Sequence, residues 1–172
     1  MGAWDELDTI IETEVDVSNL DAIMDIDDEY GIFDDIKEYA DELKTAIYEG
    51  SENGTAYLSN FDRSQQNRYI RENCDNPSGM LASSIYDEED TPLKHTIGTI
   101  LNHIYPMSIE YGHKEIYPIR AKALAFYYEG ELIFRKKVRK TDPRPFVAPA
   151  YEDTDKISKQ IMLMEINHSI EY

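Results

Sequence analysis

Residues 122–128 and 131–138 are both rich in aromatic and branched apolar side chains, and only Glu129-Gly130 separates them. A two-residue connection carrying glycine is the shortest link between antiparallel strands, because glycine supplies the positive φ that a primed turn demands. The segment therefore predicts a β-hairpin, and any fold the chain adopts must hold an antiparallel ladder here. On the first arm Leu124, Phe126 and Tyr128 share one face. On the second, Leu132, Phe134 and Val138 share a face, with Ile133, Arg135 and Lys137 opposite. That alternation predicts one packed side and one charged side.

The flanking sequence follows a helical period instead. Residues 5–29 read as one or two short acidic helices, with Leu7, Ile10 and Ile11, then Leu20, Ile23 and Met24, at helical spacing and Ser18 or Asn19 as N-cap. Past Gly31, residues 32–49 carry an apolar stripe through Phe33, Ile36, Tyr39, Leu43 and Ile47, and Gly50 suits the position just beyond a helix end. The Ser51-Glu52-Asn53-Gly54 cluster reads as a loop by its turn chemistry. A helix is a weaker expectation over residues 58–74, and Asn76-Pro77-Ser78-Gly79 punctuates the chain after it. Residues 80–86 read as a short apolar segment, 87–91 as a charged turn, 93–101 as a strand and 102–111 as a helical turn broken by Pro106. Pro143, Pro145 and Pro149 make residues 140–149 a stiff loop, and residues 153–169 close the chain as a helix with Ile157, Ile161, Met164 and Ile166 inward. The expected class is α+β, with N-terminal helices, a small mostly antiparallel β-sheet with a central hairpin, and a C-terminal helix. Residues 1–30 read as an acidic N-terminal helical arm and residues 31–172 as the α+β domain.

Charge is distributed unevenly over this plan. The formal net charge is −18, and residues 1–60 hold 18 acidic side chains against only Lys37 and Lys44. A chain so acidic lacks the general basic face that tracks a phosphate backbone. Either a high-salt cytoplasm or a basic partner would favour such acidity, and the presence of ten lysines argues against the first. No run approaches the roughly 18 apolar residues that read as a membrane span. The acidic start, Trp4-Asp5-Glu6, has no positive leader region, so a product made in the cytoplasm without membrane attachment is expected. Cys74 is the only cysteine, which removes an internal disulfide and any cysteine-only zinc site.

Patterns that carry chemistry are missing. His95, His103, His113 and His168 do not fall into metal-ligand spacing, and His103 with Glu110 and His113 is the only conceivable cluster. The stretch from Asp25 to Gly31 resembles a calcium loop superficially, yet its glycine is one place late and Ile36 stands where the bidentate glutamate belongs. Ser83 and Ser84 lack a nucleophile elbow, and no glycine pattern suits a phosphate. The expectation is no catalytic residue, no metal and no cofactor.

Against this background the basic stretch stands out. Residues 114–144 hold nine Lys/Arg against four acids, with Arg135, Lys136, Lys137, Arg139 and Lys140 nearly consecutive. They read as one solvated hairpin face, as an electrostatic mate for the acidic region of a neighbouring copy, or, more weakly, as a surface met by passing DNA.

Three further motifs occur in a fixed order: Pro77-Ser78-Gly79-Met80-Leu81-Ala82-Ser83-Ser84-Ile85, Ile109-Glu110-Tyr111-Gly112, and Pro145-Phe146-Val147-Ala148-Pro149-Ala150. Between the last two lie Pro118-Ile119-Arg120-Ala121-Lys122-Ala123-Leu124-Ala125-Phe126 and the returning strand. This order resembles the tail-completion or minor-tail-component family of long-tailed phages and their archaeal relatives, over roughly residues 32–170. The resemblance implies a non-enzymatic virion protein of the head-to-tail junction. It further implies a homo-oligomeric ring, six-fold by analogy, that touches neighbouring neck and tail-tube proteins. DNA would pass through such a ring without sequence-specific binding. An adaptor, stopper or tail-terminator ring, or an acidic DNA-mimic inhibitor, are the alternatives. Arg135, Lys136, Lys137, Arg139, Lys140, Phe146, Glu110 and Tyr111 are the candidate interface residues, Phe146 filling either its own core or a pocket on the adjacent subunit.

Overall fold

The computed structural model describes residues 7–26, 33–74, 79–101, 104–128 and 131–171. The Glu129-Gly130 turn, Gly31, most of the calcium-loop-like stretch, Pro77-Ser78 and His103 lie outside the described residues. In chain order the elements are β1 (Thr9–Glu12), α1 (Ser18–Met24), α2 (Asp34–Asn73), α3 (Met80–Ser84), β2 (Ile85–Thr91), β3 (Lys94–Thr99), α4 (Ile104–Glu110), β4 (Leu124–Tyr128), β5 (Glu131–Arg135) and α5 (Val147–Glu171). The class is α+β, as expected.

A pair of long antiparallel helices, α2 and α5, forms the spine. α2 runs for 40 residues, straight through the Gly50 stop and the 51–54 loop read from the sequence. The reason is tertiary. A Cβ at Gly50 would lie 2.5 Å from the Cα of Ile166, and one at Gly54 would lie 2.5 Å from the Sδ of Met162. Two glycines a helical turn apart thus let α5 press onto the α2 backbone, and that packing overrides the ~1 kcal/mol propensity penalty of each. α5 likewise starts six residues earlier than read, at Val147. Pro149 sits in its first turn, where the missing N–H has no intrahelical partner to lose. Met164, read as inward, is exposed, and Met162 faces α2 in its place.

The sheet beside the spine has the order β1-β3-β2, antiparallel throughout. β1 corrects the reading of residues 5–29 as purely helical and of residues 1–30 as a separate arm: Thr9 pairs with Ile97 and Glu12 with Lys94. Among the described residues there, α1 is the one α-helix, and Asp16, through its Oδ1, accepts from the Ser18 N–H at 3.0 Å in place of a Ser18 or Asn19 cap. The charged turn at 87–91 is strand as well, since β2 runs on to Thr91 with a register shift between Glu89 and Thr91. Pro106 does not break α4, because it too falls in a first turn.

Two kinds of interior hold these layers together. Ile70, Cys74, Leu81, Ile85, Ile97, Ile109 and Phe146 form the apolar core. Along α2, however, half of the buried positions are polar: Ser51, Thr55, Ser59, Asp62 and Gln66. Each finds a partner, as buried polar groups must. Thr55 meets Thr13 at 2.7 Å, Ser59 donates to Asp87, and Asp62 accepts from Gln66 at 2.7 Å and from Thr154 at 3.2 Å.

Candidate interaction surface

β4 and β5 make a two-stranded sheet of their own rather than joining the three-stranded one. Among the described residues their main contacts are with each other. A hairpin alone is marginally stable in water, so its root explains how it persists. Below the strands two bridges continue the ladder. Ile116 and Val138 exchange N–H···O bonds of 3.0 and 2.9 Å, and His113 and Thr141 exchange two of 2.9 Å. Glu115 accepts from Lys137 and from the Tyr117 hydroxyl, each at 2.5 Å. These bonds, Lys137 first, hold the Glu115 carboxyl below its ordinary range. Residues 113–141 are therefore one arm.

Its base is fixed by Gly112 and Glu110. Gly112 has φ +67, and a Cβ there would fall 2.5 Å from the Thr141 carbonyl and 2.8 Å from the Pro143 nitrogen, so only glycine fits. Glu110 reaches the start of α5, where its carboxylate accepts from the backbone N–H groups of Phe146 (2.7 Å), Val147 (3.0 Å) and Ala148 (3.1 Å). The first amides of a helix lack intrahelical partners and carry partial positive charge, so an acceptor anion there satisfies both needs. Pro149 has no N–H to satisfy. The Ile109-Glu110-Tyr111-Gly112 and Pro145-Phe146-Val147-Ala148-Pro149-Ala150 motifs are thus two halves of one clamp at the root of the arm.

Several interface candidates change standing on this geometry. Glu110 is buried and occupied by its three amides, and Phe146 lies in the apolar core at 1 % exposure, so neither is presented to a neighbour. Tyr111 is half exposed beside the root. Arg135, Lys136, Lys137, Arg139 and Lys140 are all exposed. Lys137 is tied to Glu115 and Lys140 to Asp142 at 2.8 Å. Arg135, Lys136 and Arg139 have no ion-pair partner among the described residues.

The strand register also corrects the expected division into apolar and charged faces. Leu124 stands opposite Arg135, and Ala125 opposite Phe134. Directly paired residues share a face. Leu124, Ile133 and Arg135 are therefore together on one side, while Ala125, Leu132 and Phe134 are on the other. Leu132 and Phe134 are 48 % and 61 % exposed. Apolar groups on both faces, rather than one packed side, are what the sequence reading missed; counting the pairs outward from the two-residue turn would have found them.

Elsewhere, Ser59, Asp87 and His95 bring together the residue types of a hydrolytic triad. Their order differs: Asp87 stands in the middle, accepting from Ser59 and contacting His95 Nδ1 at 3.0 Å. The hydroxyl faces a carboxylate and not an imidazole base, and Ser59 is buried, so this arrangement braces α2 against the sheet. Among the described residues no three His, Cys, Asp or Glu side chains converge as a metal site, and no helix is long and apolar enough to cross a membrane.

Comparison with models of known families, with curated proteins and with solved structures finds no match to the chain.

Proposed function

We propose that this chain is a non-enzymatic structural subunit of the head-to-tail junction of a tailed virion, acting in tail completion or neck assembly as one member of a homo-oligomeric ring. The observation that carries the reading is the arm of residues 113–141, which projects apolar side chains from both faces and is rooted in a rigid clamp. A protein that functions alone gains nothing from holding Leu132 and Phe134 in water, whereas exposed apolar groups rimmed by charge suit a docking surface. The order of motifs that resembles the tail-completion family supports this choice of assembly, and the clamp gives two of them a shared physical purpose. The partners are further copies of the chain and the adjoining neck and tail-tube proteins.

Composition of purified virions tests this directly. The protein is expected in mature particles at a fixed copy number per neck, and its deletion should leave filled heads and finished tails unjoined. Absence from particles, together with normal joining in the deletion strain, would overturn the reading. An adaptor, stopper or terminator ring would share the architecture, and capture by portal-side or by tube-side proteins separates these positions. The acidic-mimic alternative loses its separable arm, because β1 belongs to the sheet.

A further inference from the structure

We infer that β5 pairs with β5 of a second copy, edge to edge and antiparallel, about a two-fold axis at Ile133. The inference goes beyond the ring reading and does not depend on it, since a two-fold contact joins two copies whether or not each also sits in a ring. Among the described residues no strand lies on the outer edge of β5. Tyr128 and Glu131 are the last pair before a two-residue connection, so they exchange both of their main-chain bonds with each other. The alternation then directs the N–H and C=O groups of Leu132 and Phe134 outward. Such a row is a template for another strand.

The sequence of β5, Glu131-Leu132-Ile133-Phe134-Arg135, complements its own reverse. Centred on Ile133, antiparallel pairing sets Glu131 opposite the partner's Arg135, Leu132 opposite the partner's Phe134, and Ile133 opposite its own equivalent. Each Leu132–Phe134 pair exchanges two main-chain bonds, using the groups that point outward. Glu131 and Arg135 fall in the closer, non-hydrogen-bonded class, where opposite charges directly across stabilise the sheet. A shift by two residues in either direction would pair only three of the five and set one of the charges against Ile133. Charge and apolar pattern therefore select one register and one kind of partner, a second copy of this chain.

Within one chain these groups do not serve each other. Glu131 and Arg135 are exposed, and neither forms an ion pair among the described residues. Four steps apart on one strand, they lie ~13 Å from each other, too far to pair. Leu132 and Phe134, 48 % and 61 % exposed, would cover one another across the axis. A two-stranded hairpin is marginal in water, and pairing turns it into four strands in the order β4-β5-β5-β4. The antiparallel sense also sends the two basic runs at residues 136–140 to opposite ends, with the two Lys136 positions ~20 Å apart. Five residues a side is fewer than the roughly 20–30 of a standard interface, so the dimer is weak and forms as concentration rises.

The test uses full-length protein with charges swapped at the two ends of the strand, measured by analytical ultracentrifugation and native mass spectrometry over a concentration series. Wild type should show a monomer–dimer step. E131R alone and R135E alone should each weaken it at least about fivefold, because two opposite-charge pairs become two like-charge pairs. An equimolar mixture of the two variants should recover wild-type dimerisation, and so should the double variant E131R/R135E, since each restores an Arg opposite a Glu. If a single reversal disturbs the hairpin itself, the mixture and the double variant still decide, because recovery requires ordered strands. Amide exchange at Leu132 and Phe134 should slow with rising concentration in wild type. A dimer indifferent to the single reversals, a mixture and double variant that both stay dissociated, or edge amides that exchange alike at every concentration would overturn the inference while leaving a ring built on other surfaces standing. A wild type that stays monomeric throughout also overturns it, and virion composition then decides the ring reading separately.

Discussion

The Glu110 carboxylate and the Phe146 amide, 36 positions apart in sequence, meet at 2.7 Å inside the protein. Val147 and Ala148 donate to the same carboxylate, so Glu110→Ala strands three helix-start amides. A loss of about 3 kcal/mol is expected, and Glu110→Gln, which keeps acceptors but not charge, should lose roughly half of that. Urea unfolding of the two variants checks the ranking.

The same aromatic residue type occupies opposite environments at two positions. Phe146→Ala empties a core site and should cost about 3–5 kcal/mol. Phe134→Ala, on the exposed arm, should change folding stability by less than about 0.5 kcal/mol while weakening self-association. Calorimetry paired with sedimentation separates the two effects, and a large stability loss at Phe134 would mean that the arm packs on its own protomer.

Gly50 and Gly54 should respond differently to alanine, although both gain about 1 kcal/mol of helix propensity. At Gly50 the obstacle is the Ile166 backbone, which cannot move without shifting α5, so Gly50→Ala is expected to destabilise by about 2 kcal/mol or more. At Gly54 it is the Met162 thioether. That side chain can turn aside, and Gly54→Ala should be near neutral. Thermal unfolding of both variants measures the difference.

Gly112→Ala should loosen the arm and spare the core. The positive φ and the 2.5 Å approach to the Thr141 carbonyl leave no room for a methyl group. Hydrogen exchange should accelerate by at least about tenfold at the His113, Ile116, Val138 and Thr141 amides, with protection of α2 unchanged.

Asp62 is fully buried between α2 and α5, and burial raises its carboxyl above the ordinary 3.8, against the lowering effect of bonds from Gln66 and Thr154. Asp87, which is hydrogen-bonded to Ser59 and His95 across the sheet, adds to the rise. The folded state therefore holds this proton more tightly than the unfolded chain. Its contribution to stability is greatest at low pH, falls as pH climbs from about the ordinary value through the raised one, and is flat beyond. Asp62→Asn should remove that slope and leave stability at neutral pH at or above wild type; an unchanged slope in pH-resolved denaturation would assign the effect to other groups.

The hairpin was legible because its signal is local: alternation plus a glycine turn needs nothing beyond the segment itself. α2 was not, because Gly50 and the Ser51-Glu52-Asn53-Gly54 cluster look like a helix stop to any local reading, and only the approach of α5 explains them. β1 was hidden for a related reason, since Thr9-Ile10-Ile11-Glu12 acquires its ladder from residues 94–97. At the interaction surface the basic residues could be read from charge alone. Glu110 reads as an interface residue, and Phe146 as filling either its own core or a neighbour's pocket, because the burial of both depends on where α5 begins, and Pro149 makes that start look like loop.

The polar stripe along α2 acts as a ruler. Two long helices joined by interchangeable apolar contacts can slip past one another by a turn, about 5.4 Å. Here a slip toward the start of α5 would set Asp62 against Ala150 instead of Thr154, leaving a buried carboxylate short of a donor. One alignment alone satisfies Asp62 against Thr154 and places Gly50 under Ile166. The place of α5 along α2, and with it the place of the arm whose root is bound to the first turn of α5, is thereby set to within a fraction of a turn.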